Sequence, residues 1–317
     1  NSESFDEEQI EEYLQTPDDN ILYHVVAAIR SGISIEKIYR LSSIEPWFLE
    51  KINNIVEIET RLKSSPLNQK LLSTAKKFGF SDKQIGRAVN KEELEVRKIR
   101  KDFGIIPAVK QIDTLAAEWP AETNYLYLTY GGTENDISIA SVDSGIIVLG
   151  AGPYRIGSSV EFDWGTVNMV WGLQDGGQKN VVVVNCNPET VSTDYDICNR
   201  LYFEELTLER ILDISEFEKP KGIVTSVGGQ TANNLTPKLA NSGITLIGTK
   251  AEDVDRAENR SKFSQVLDRL HIGQPSWQAF TSIIDAKNFA LEVGYPVLVR
   301  PSYVLSGAAM KVAWSQT

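Results

Sequence analysis

A glycine-rich turn directly after an apolar run is the stretch of this sequence best suited to binding a ligand. The run Ile146–Leu149 has the pattern of a strand that is buried on both faces of a parallel sheet. Gly150, Gly152 and Gly157 follow it, and glycines let the backbone turn tightly and approach a bound group. Residues 160–173 then have the spacing of a crossover helix. The stretch predicts the start of a nucleotide-type α/β domain.

Two known phosphate-binding motifs fit this turn poorly. Gly152 and Gly157 have the spacing of a P-loop, but Ser158 stands where a lysine would reach the phosphates. Gly150 and Gly152 imitate a dinucleotide fingerprint, but the next strand ends at Asn185 rather than at the acidic residue that would hold a ribose. NAD or FAD binding is therefore disfavoured, and a tight turn without a ligand is the alternative on the residues alone.

Two further loops are expected at the same edge of the sheet as the glycine turn. Segments 185–190 and 227–233 each follow a short apolar run, and ligands in doubly wound sheets bind beyond the carboxyl ends of the strands. Small residues, backbone N–H groups and amides in these loops suit a small anion or a carboxylate-like intermediate. Hydrogen bonding within the loops is an equal alternative for Asn187, Thr190 and Gln230.

Composition excludes several classes of function. The 317 residues are enough for two or three domains, and the net charge of −11 argues against a nucleic-acid backbone or an anionic membrane as a partner. No apolar run approaches the roughly 18–20 residues of a membrane span. Cys186 and Cys198 lack metal-type spacing, so we expect a reducing compartment and no zinc site or disulfide. His24 and His271 have no evident catalytic partner and are interpreted as structural.

The first 130 residues contain only four of the 22 glycines and are typical of short helices separated by turns. A helix–turn–helix rhythm at 79–101 raises the hypothesis of DNA binding. The helix at 91–101 alternates acids with bases, which suits a solvated, ion-paired face better than a phosphate contact, so a helical packing module is favoured. The predicted helices span 5–14, 20–31, 34–41, 46–62, 68–78, 81–89 and 91–103.

Seven blocks of sequence in fixed order identify a family. They are PYRIGSSVEFDW (153–164), NCNPETVSTDYD (185–196), RLYFEEL (200–206), SVGGQTANNL (226–235), IGT (247–249), DRAENRSKF (255–263) and GYPVLVRPSYVLSGAAM (294–310). Together they resemble the large chain of carbamoyl-phosphate synthetases, at the start of its second, carbamoyl-phosphate-forming half. Segment 109–130 resembles the end of the central helical domain of that family. Several of these phrases look closer to eukaryotic members.

The resemblance implies a fold that combines α and α/β domains. An all-helical oligomerisation and connection domain is expected at 1–130 and a linker at 131–144. A doubly wound, parallel-sheet pre-ATP-grasp domain of four or five strands is expected at 145–255. A connecting helix and the truncated start of an ATP-grasp subdomain are expected at 256–317.

The resemblance also assigns the ATP site. Arg300 is implied to contact ATP phosphate as the catalytic cation, because a guanidinium can neutralise phosphate charge in a bidentate way. On the residues alone, an arginine before proline is more often part of a surface ion pair. Ala308 stands where bacterial members often carry arginine, so one phosphate contact is expected to be absent. The loop implied to close over the phosphates consists of Ser306, Gly307, Ala308, Ala309 and Met310.

A carbamate side of the site is implied at the carboxyl edge of the sheet. Its residues are Gly152, Gly157, Ser158, Ser159, Asn187, Glu189, Thr190 and Gln230. The Mg²⁺ ligands of the family lie well downstream of the adenine-binding segment, outside this sequence. Phosphoryl transfer needs that metal, so this chain alone is expected to be inactive.

The whole enzyme of the family makes carbamoyl phosphate from bicarbonate, ammonia and two ATP, and this half would phosphorylate carbamate. The resemblance implies ammonia from a glutamine amidotransferase subunit or domain, or from solution, and self-association through the helical domain. It implies the cytosol, or alternatively the mitochondrial matrix. Two alternatives stay open on the sequence: another ATP-grasp ligase such as biotin carboxylase, and a non-catalytic helical scaffold with a degenerate nucleotide fold.

Overall fold

The computed structural model describes residues 7–138, 144–155, 160–300 and 310–316. Their contacts divide the chain into two compact units. One is built on Asn1–Ala108 with Thr129–Thr133, and the other on Val109–Leu128 with Glu134–Thr317. We refer to the first as the helical unit and to the second as the sheet unit.

The helical unit contains every helix that the sequence predicts for it, with ends that differ by at most two residues. Local capping explains this agreement: Ser34 accepts a hydrogen bond from the Lys37 N–H, and Ser81 forms a reciprocal capping box with Gln84. The helices are α1 Glu7–Gln15, α2 Ile21–Arg30, α3 Ile35–Ser42, α4 Pro46–Ser64, α5 Gln69–Lys77, α6 Asp82–Val89 and α7 Glu93–Asp102.

Helix α4 is long enough to serve two separate apolar cores. Leu49, near its start, packs into a cluster with buried residues of α1, α2 and α3. Ile58 and Leu62, near its end, pack into a second cluster with buried residues of α5, α6 and α7. The apolar stripe of α4 therefore ties the two halves of the helical unit together.

A cluster of charged side chains lies in the interior of the helical unit. The Asp82 carboxylate is fully buried and lies 3.0 Å from Lys76 Nζ and 3.0 Å from Arg100 Nε. Arg100 also donates to the carbonyl of Ile105 at 3.1 Å. The ring of Tyr130, which belongs to this unit, lies 5.0 Å from Lys76 Nζ and 5.6 Å from Arg100 Cζ. This Asp82 cluster uses charges of α6 and α7 internally, which supports the packing interpretation of segment 79–101.

The sheet unit is a seven-stranded sheet in the order β1-β2-β5-β4-β3-β6-β7 across the described residues. Strands β3, β4, β5, β6 and β7, together with the β2–β5 pair, are parallel. The strands are β1 Ala108–Gln111, β2 Tyr125–Thr129, β3 Ile146–Leu149, β4 Val181–Val184, β5 Arg200–Tyr202, β6 Gly222–Val224 and β7 Leu246–Ile247. Five of them, β3 to β7, come from residues 145–255, in agreement with the expectation of four or five strands for that segment, and β1 and β2 are additional.

The two additional strands lie inside the segment that the sequence assigned to helices. Strands β1 and β2 occupy the two ends of 109–130, and β2 alternates half-buried or exposed positions with the buried Leu126 and Leu128. A period of two is the signature of a strand with two unlike faces. The helical interpretation of 109–130 was therefore wrong, because this alternation outweighs the resemblance to the end of a helical domain.

Helices cover both faces of the sheet. Val167 and Val170 of α8 (Val160–Asp175) pack against Val181 and Val183 on one face. Residues of α9 (Leu208–Glu218) and α11 (Thr236–Asn241), with α10 (Gly229–Asn233) between them, cover the other face. All four residues of both β3 and β4 are buried, as the apolar runs predict for a parallel sheet. The doubly wound architecture is confirmed.

The last part of the chain departs from the prediction of one connecting helix at the start of 256–317. Two helices are present, α12 Ala251–Glu258 and α13 Arg260–Arg269. Asn259 between them has extended backbone angles and accepts a hydrogen bond from the Lys262 N–H. Asparagine at this position caps a new helix instead of continuing the old one. Helix α14 Ile283–Val293 and an antiparallel pair, β8 Val297–Val299 with β9 Lys311–Ala313, follow.

Candidate functional site

The glycine turn after β3 lies against the loops that follow β4 and β6. The Gly150 N–H donates to the carbonyl of Val184 at 2.9 Å. A Cβ atom placed on Gly228 would come within 2.4 Å of the Gly150 carbonyl oxygen and within 2.5 Å of that of Leu149. Gly152 has φ +75°, in the left-handed region that favours glycine. The three loops therefore meet at the carboxyl edge of the sheet, where the sequence predicts a binding site.

Side chains join the same three loops on the outside. Tyr154 Oη and Thr190 Oγ1 share a hydrogen bond of 2.6 Å, which links the glycine turn to the loop after β4. Arg155 Nη2 donates to Thr231 Oγ1 at 2.9 Å, which links the turn to the start of α10. The glycine turn is thus held on both sides, and the three loops form one surface.

A buried polar network lies beneath this surface. Asn185 is fully buried; its Oδ1 accepts from the Gly152 N–H at 3.0 Å and from the Asn187 N–H at 3.3 Å. Its Nδ2 donates to Ser192 Oγ at 3.1 Å. The Ser192 N–H donates to Asp163 Oδ2 at 3.1 Å. These roles were not predicted from the sequence, in which Asn185 is an unsuitable ribose ligand; the available signal was an amide directly after an all-valine strand.

The structure describes five of the eight residues predicted for the carbamate side. Asn187 is buried and accepts from the Glu189 N–H at 3.0 Å, so its side chain organises its own loop. Thr190 is bonded to Tyr154, while the side chains of Glu189 and Gln230 are exposed at the edge. Gly152 lies in the turn itself. The other three predicted residues, Gly157, Ser158 and Ser159, lie outside the described residues.

Arg300 and Met310 flank the connection between β8 and β9. Val299 pairs with Lys311 in the antiparallel register, so the two residues beyond this pair begin and end the connecting segment. Arg300 is exposed and makes no ion pair within the described parts of the chain. The predicted phosphate-loop residues Ser306, Gly307, Ala308 and Ala309 lie outside the described residues.

The described segments contain neither a group of metal-ligating side chains nor a helix suited to crossing a membrane. Across residues 7–138, 144–155, 160–300 and 310–316, no three His, Cys, Asp or Glu side chains are grouped to hold a metal ion. Within the same ranges, none of the helices has the length and apolar character needed to cross a bilayer.

Both cysteines are free thiols. Cys198 is buried and its Sγ donates to the carbonyl of Arg200 at 3.3 Å. Burial disfavours the thiolate and raises the pKa of Cys198 to about 12. Burial also raises the pKa of Cys186, which is only half-buried. The thiolate is the reactive form, so neither thiol is a candidate nucleophile.

This protonation state predicts slow thiol chemistry in the folded protein. At pH 8 we expect Cys198 to react with Ellman's reagent at least about 100-fold more slowly than in the unfolded chain, because its thiolate is scarce and covered. Cys186 should react faster than Cys198. A Cys186→Ser variant isolates the Cys198 rate, and Cys198→Ser is its counterpart. Equal rates for Cys198 in folded and unfolded protein would contradict the assignment.

Comparison with protein families finds three matching family models along the chain. Residues 1–104 match the oligomerisation domain of the carbamoyl-phosphate synthetase large chain. Residues 142–256 match the carbamoyl phosphate synthase preATP-grasp domain, and residues 255–317 match the ATP binding domain of the carbamoyl-phosphate synthase L chain. The first match covers the helical unit, and the second covers strands β3 to β7 with the glycine turn.

Curated relatives agree with these matches. The chain is 53% identical to the carbamoyl phosphate synthase large chain of Hyperthermus butylicus over 293 residues, which is 91% of this chain and 27% of that protein. It is 50% identical to the mitochondrial carbamoyl-phosphate synthase (ammonia) of Aquarana catesbeiana over 95% of this chain and 20% of that protein. It is 48% identical to the multifunctional protein CAD of Squalus acanthias over 96% of this chain and 14% of that protein.

The chain thus spans about a quarter or less of the length of several of the relatives it matches. The three family models follow one another in sequence order and describe parts of one kind of protein. This order, the glycine turn at the carboxyl edge and the identity near 50% along almost the entire sequence lead to one conclusion. The chain belongs to the carbamoyl-phosphate synthase large-chain family.

Proposed function

We propose that this chain contributes the carbamate-phosphorylating half of a carbamoyl-phosphate synthase. The observation that carries the proposal is the meeting of three ligand-competent loops at the carboxyl edge of the sheet, in a region that matches the pre-ATP-grasp domain of that enzyme. A carbamate oxygen would attack the γ-phosphorus of ATP, the bond to the β-phosphate oxygen would break, and carbamoyl phosphate and ADP would form.

The chain's own residues would divide this work between two places. Arg300 would neutralise phosphate charge, since its guanidinium is exposed and free of ion pairs among the described residues. Residues 306–310 would close over the phosphates. The eight carbamate-side residues, of which Gly152 and Thr190 lie in the joined loops, would receive the carbamate. Backbone N–H groups in such turns favour small anions.

Magnesium is expected for this reaction, because phosphoryl transfer uses a metal to offset developing charge. The described residues do not form a carboxylate cluster that could hold it. We therefore assign no step of the reaction to this chain's contacts with Mg²⁺, and the chain by itself is expected to lack activity.

Partners and compartment follow from the family. The match to an oligomerisation domain at residues 1–104 supports self-association through the helical unit. A glutamine amidotransferase subunit or domain would supply ammonia. Nucleic acid and membrane are not expected partners, given the net charge of −11. We propose the cytoplasm as the compartment, with the mitochondrial matrix as the alternative; one relative is named as mitochondrial.

The two alternatives raised by the sequence are less well supported. Each family model that matches describes a carbamoyl-phosphate synthase domain, which argues against biotin carboxylase. The intact carboxyl edge of the sheet, with its bridging hydrogen bonds, argues against a degenerate nucleotide fold that serves only as a scaffold.

The test is the partial back-reaction, ATP formation from ADP and carbamoyl phosphate, in a full-length large chain that carries this sequence. Replacement of Arg300 by alanine should lower the rate by about 100-fold, or about 2.7 kcal/mol of transition-state stabilisation. Arg300→Lys keeps the charge but loses the bidentate geometry, so its rate should fall between those of the wild type and Arg300→Ala.

Arg269→Ala is the matched control, because Arg269 is an exposed arginine on α13 whose Nε donates to the Gln265 carbonyl in its own helix. This control should keep wild-type activity. An inactive wild type would contradict the proposed reaction. An active wild type with an equally active Arg300→Ala variant would contradict only the role of Arg300.

A further inference from the structure

Asn185 joins two loops that are far apart in sequence. It accepts the N–H of Gly152, 33 positions earlier in the chain, and the N–H of Asn187 in its own loop. One carbonyl oxygen can accept two such bonds. We propose that Asn185 is a positioning residue, which holds the glycine turn and the loop after β4 at the spacing required to bind carbamate. The inference rests on the proposed function of these loops.

The surrounding packing restricts the position of the Asn185 side-chain amide. A Cβ atom on Gly150 would come within 2.7 Å of both Cγ and Nδ2 of Asn185, so the absence of a side chain at Gly150 makes room for the amide. The backbone of Asn185 is fixed as well, because its N–H donates to the Tyr202 carbonyl at 3.1 Å. The Asn185 side chain is therefore held by its packing against Gly150 and by its three hydrogen bonds.

A second tether extends the network to helix α8. Asn185 Nδ2 bonds the buried hydroxyl of Ser192, and the Ser192 N–H bonds the buried carboxylate of Asp163 in the first turn of α8. Asp163 Oδ1 has no hydrogen-bond partner in the described part of the chain. The loop that follows β4 is thus tied at its start to the glycine turn and, through Ser192, to the helix that follows that turn.

This arrangement suits the positioning of a small ligand better than general stability. A ligand of a few atoms makes few contacts, so a displacement of about 1 Å in one loop removes a large share of its binding and alignment. ADP is larger, and its proposed contacts are at Arg300 and residues 306–310 rather than in these loops. The two substrates of the back-reaction should therefore respond differently to a change at Asn185.

The first measurement is the KM of each substrate in the back-reaction of a full-length large chain that carries this sequence. Asn185→Leu keeps the approximate shape of the side chain but removes all three hydrogen bonds. We expect the KM of carbamoyl phosphate to rise about tenfold or more, and the KM of ADP to stay within about twofold. Ser192→Ala removes only the hydroxyl and should raise the KM of carbamoyl phosphate about threefold.

Asn199→Ala is the control of the same residue type. Asn199 lies beyond the opposite, amino end of β4, where its Oδ1 accepts from the Val181 N–H at 2.8 Å. It should leave both KM values unchanged. If Asn185→Leu does not fold, the KM values of Ser192→Ala test the inference instead. Unchanged KM values in a variant that folds, or equal changes for both substrates, would overturn the inference.

Hydrogen exchange separates this inference from the proposed function. The peptide that contains Gly152 should exchange faster in Ser192→Ala and Asn185→Leu than in wild type and Asn199→Ala, whether or not the enzyme shows the back-reaction. Unchanged exchange of this peptide would refute the positioning role. If the wild type shows no back-reaction but the variants show faster exchange, the proposed reaction is refuted and the coupling of the two loops through Asn185 stands.

Discussion

Replacement of Asp82 by alanine is expected to lower the free energy of unfolding of the helical unit by about 3–5 kcal/mol. The carboxylate is fully buried between Lys76 and Arg100, which are themselves buried. Removing it would take away the buried carboxylate that both of these cations contact. Most of the expected loss of stability comes from the positive charge that remains buried, rather than from the attraction that is removed.

Chemical denaturation followed by helical circular dichroism, together with hydrogen exchange of peptides from α6 and α7, measures this effect in the unit that contains Asp82. Asp102→Ala is the matched control, because Asp102 is an exposed aspartate at the end of α7 in the same unit. It should change stability by less than about 0.5 kcal/mol. A loss below about 1 kcal/mol for Asp82→Ala would show that the cluster is not a buried ion network.

Replacement of Gly228 by alanine is expected to destabilise the sheet unit by about 3 kcal/mol. The added Cβ would lie 2.4 Å from the Gly150 carbonyl oxygen and 2.5 Å from that of Leu149. Both atoms belong to the backbone at the end of β3, so no side-chain rotation can relieve the clash. The loop after β6 must move away from the glycine turn, and the surface that joins the three loops should open.

Gly172→Ala provides the opposite case within the same unit. Gly172 lies in α8, and a Cβ added there meets no atom within 4 Å. Alanine should stabilise this helix by about 0.5–1 kcal/mol. Thermal unfolding of the two variants should shift in opposite directions. Equal melting temperatures for Gly228→Ala and wild type would contradict the close backbone approach.

Local signals explain what the sequence could predict. Helix ends agreed with the prediction because caps such as Ser34 and Ser81 act within three residues. Strands β3 and β4 could be predicted because an unbroken apolar run such as Val181–Val184 is typical of a strand that is buried on both faces of a sheet. The glycine turn could be placed because its glycines follow such a strand directly.

Features that depend on distant partners escaped prediction. Strand β5 begins at Arg200, and this arginine is accommodated because Glu218, 18 positions later, pairs with it. Asp82 lies in the first turn of α6, where an acidic residue is common, but α5 and α7 bring Lys76 and Arg100 to it. Nothing within a few residues of either position signals its partner.

By itself, the sequence determined the helical and α/β halves, the buried central strands, the glycine turn and the family, because these depend on local propensity and on motif order. Tertiary structure alone decided that β1, β2 and β5 join the sheet, that charges of α6 and α7 turn inward, and that Asn185 bridges two loops. The physical reason is that a buried polar group requires a partner, and that partner is chosen by the fold rather than by position in the chain.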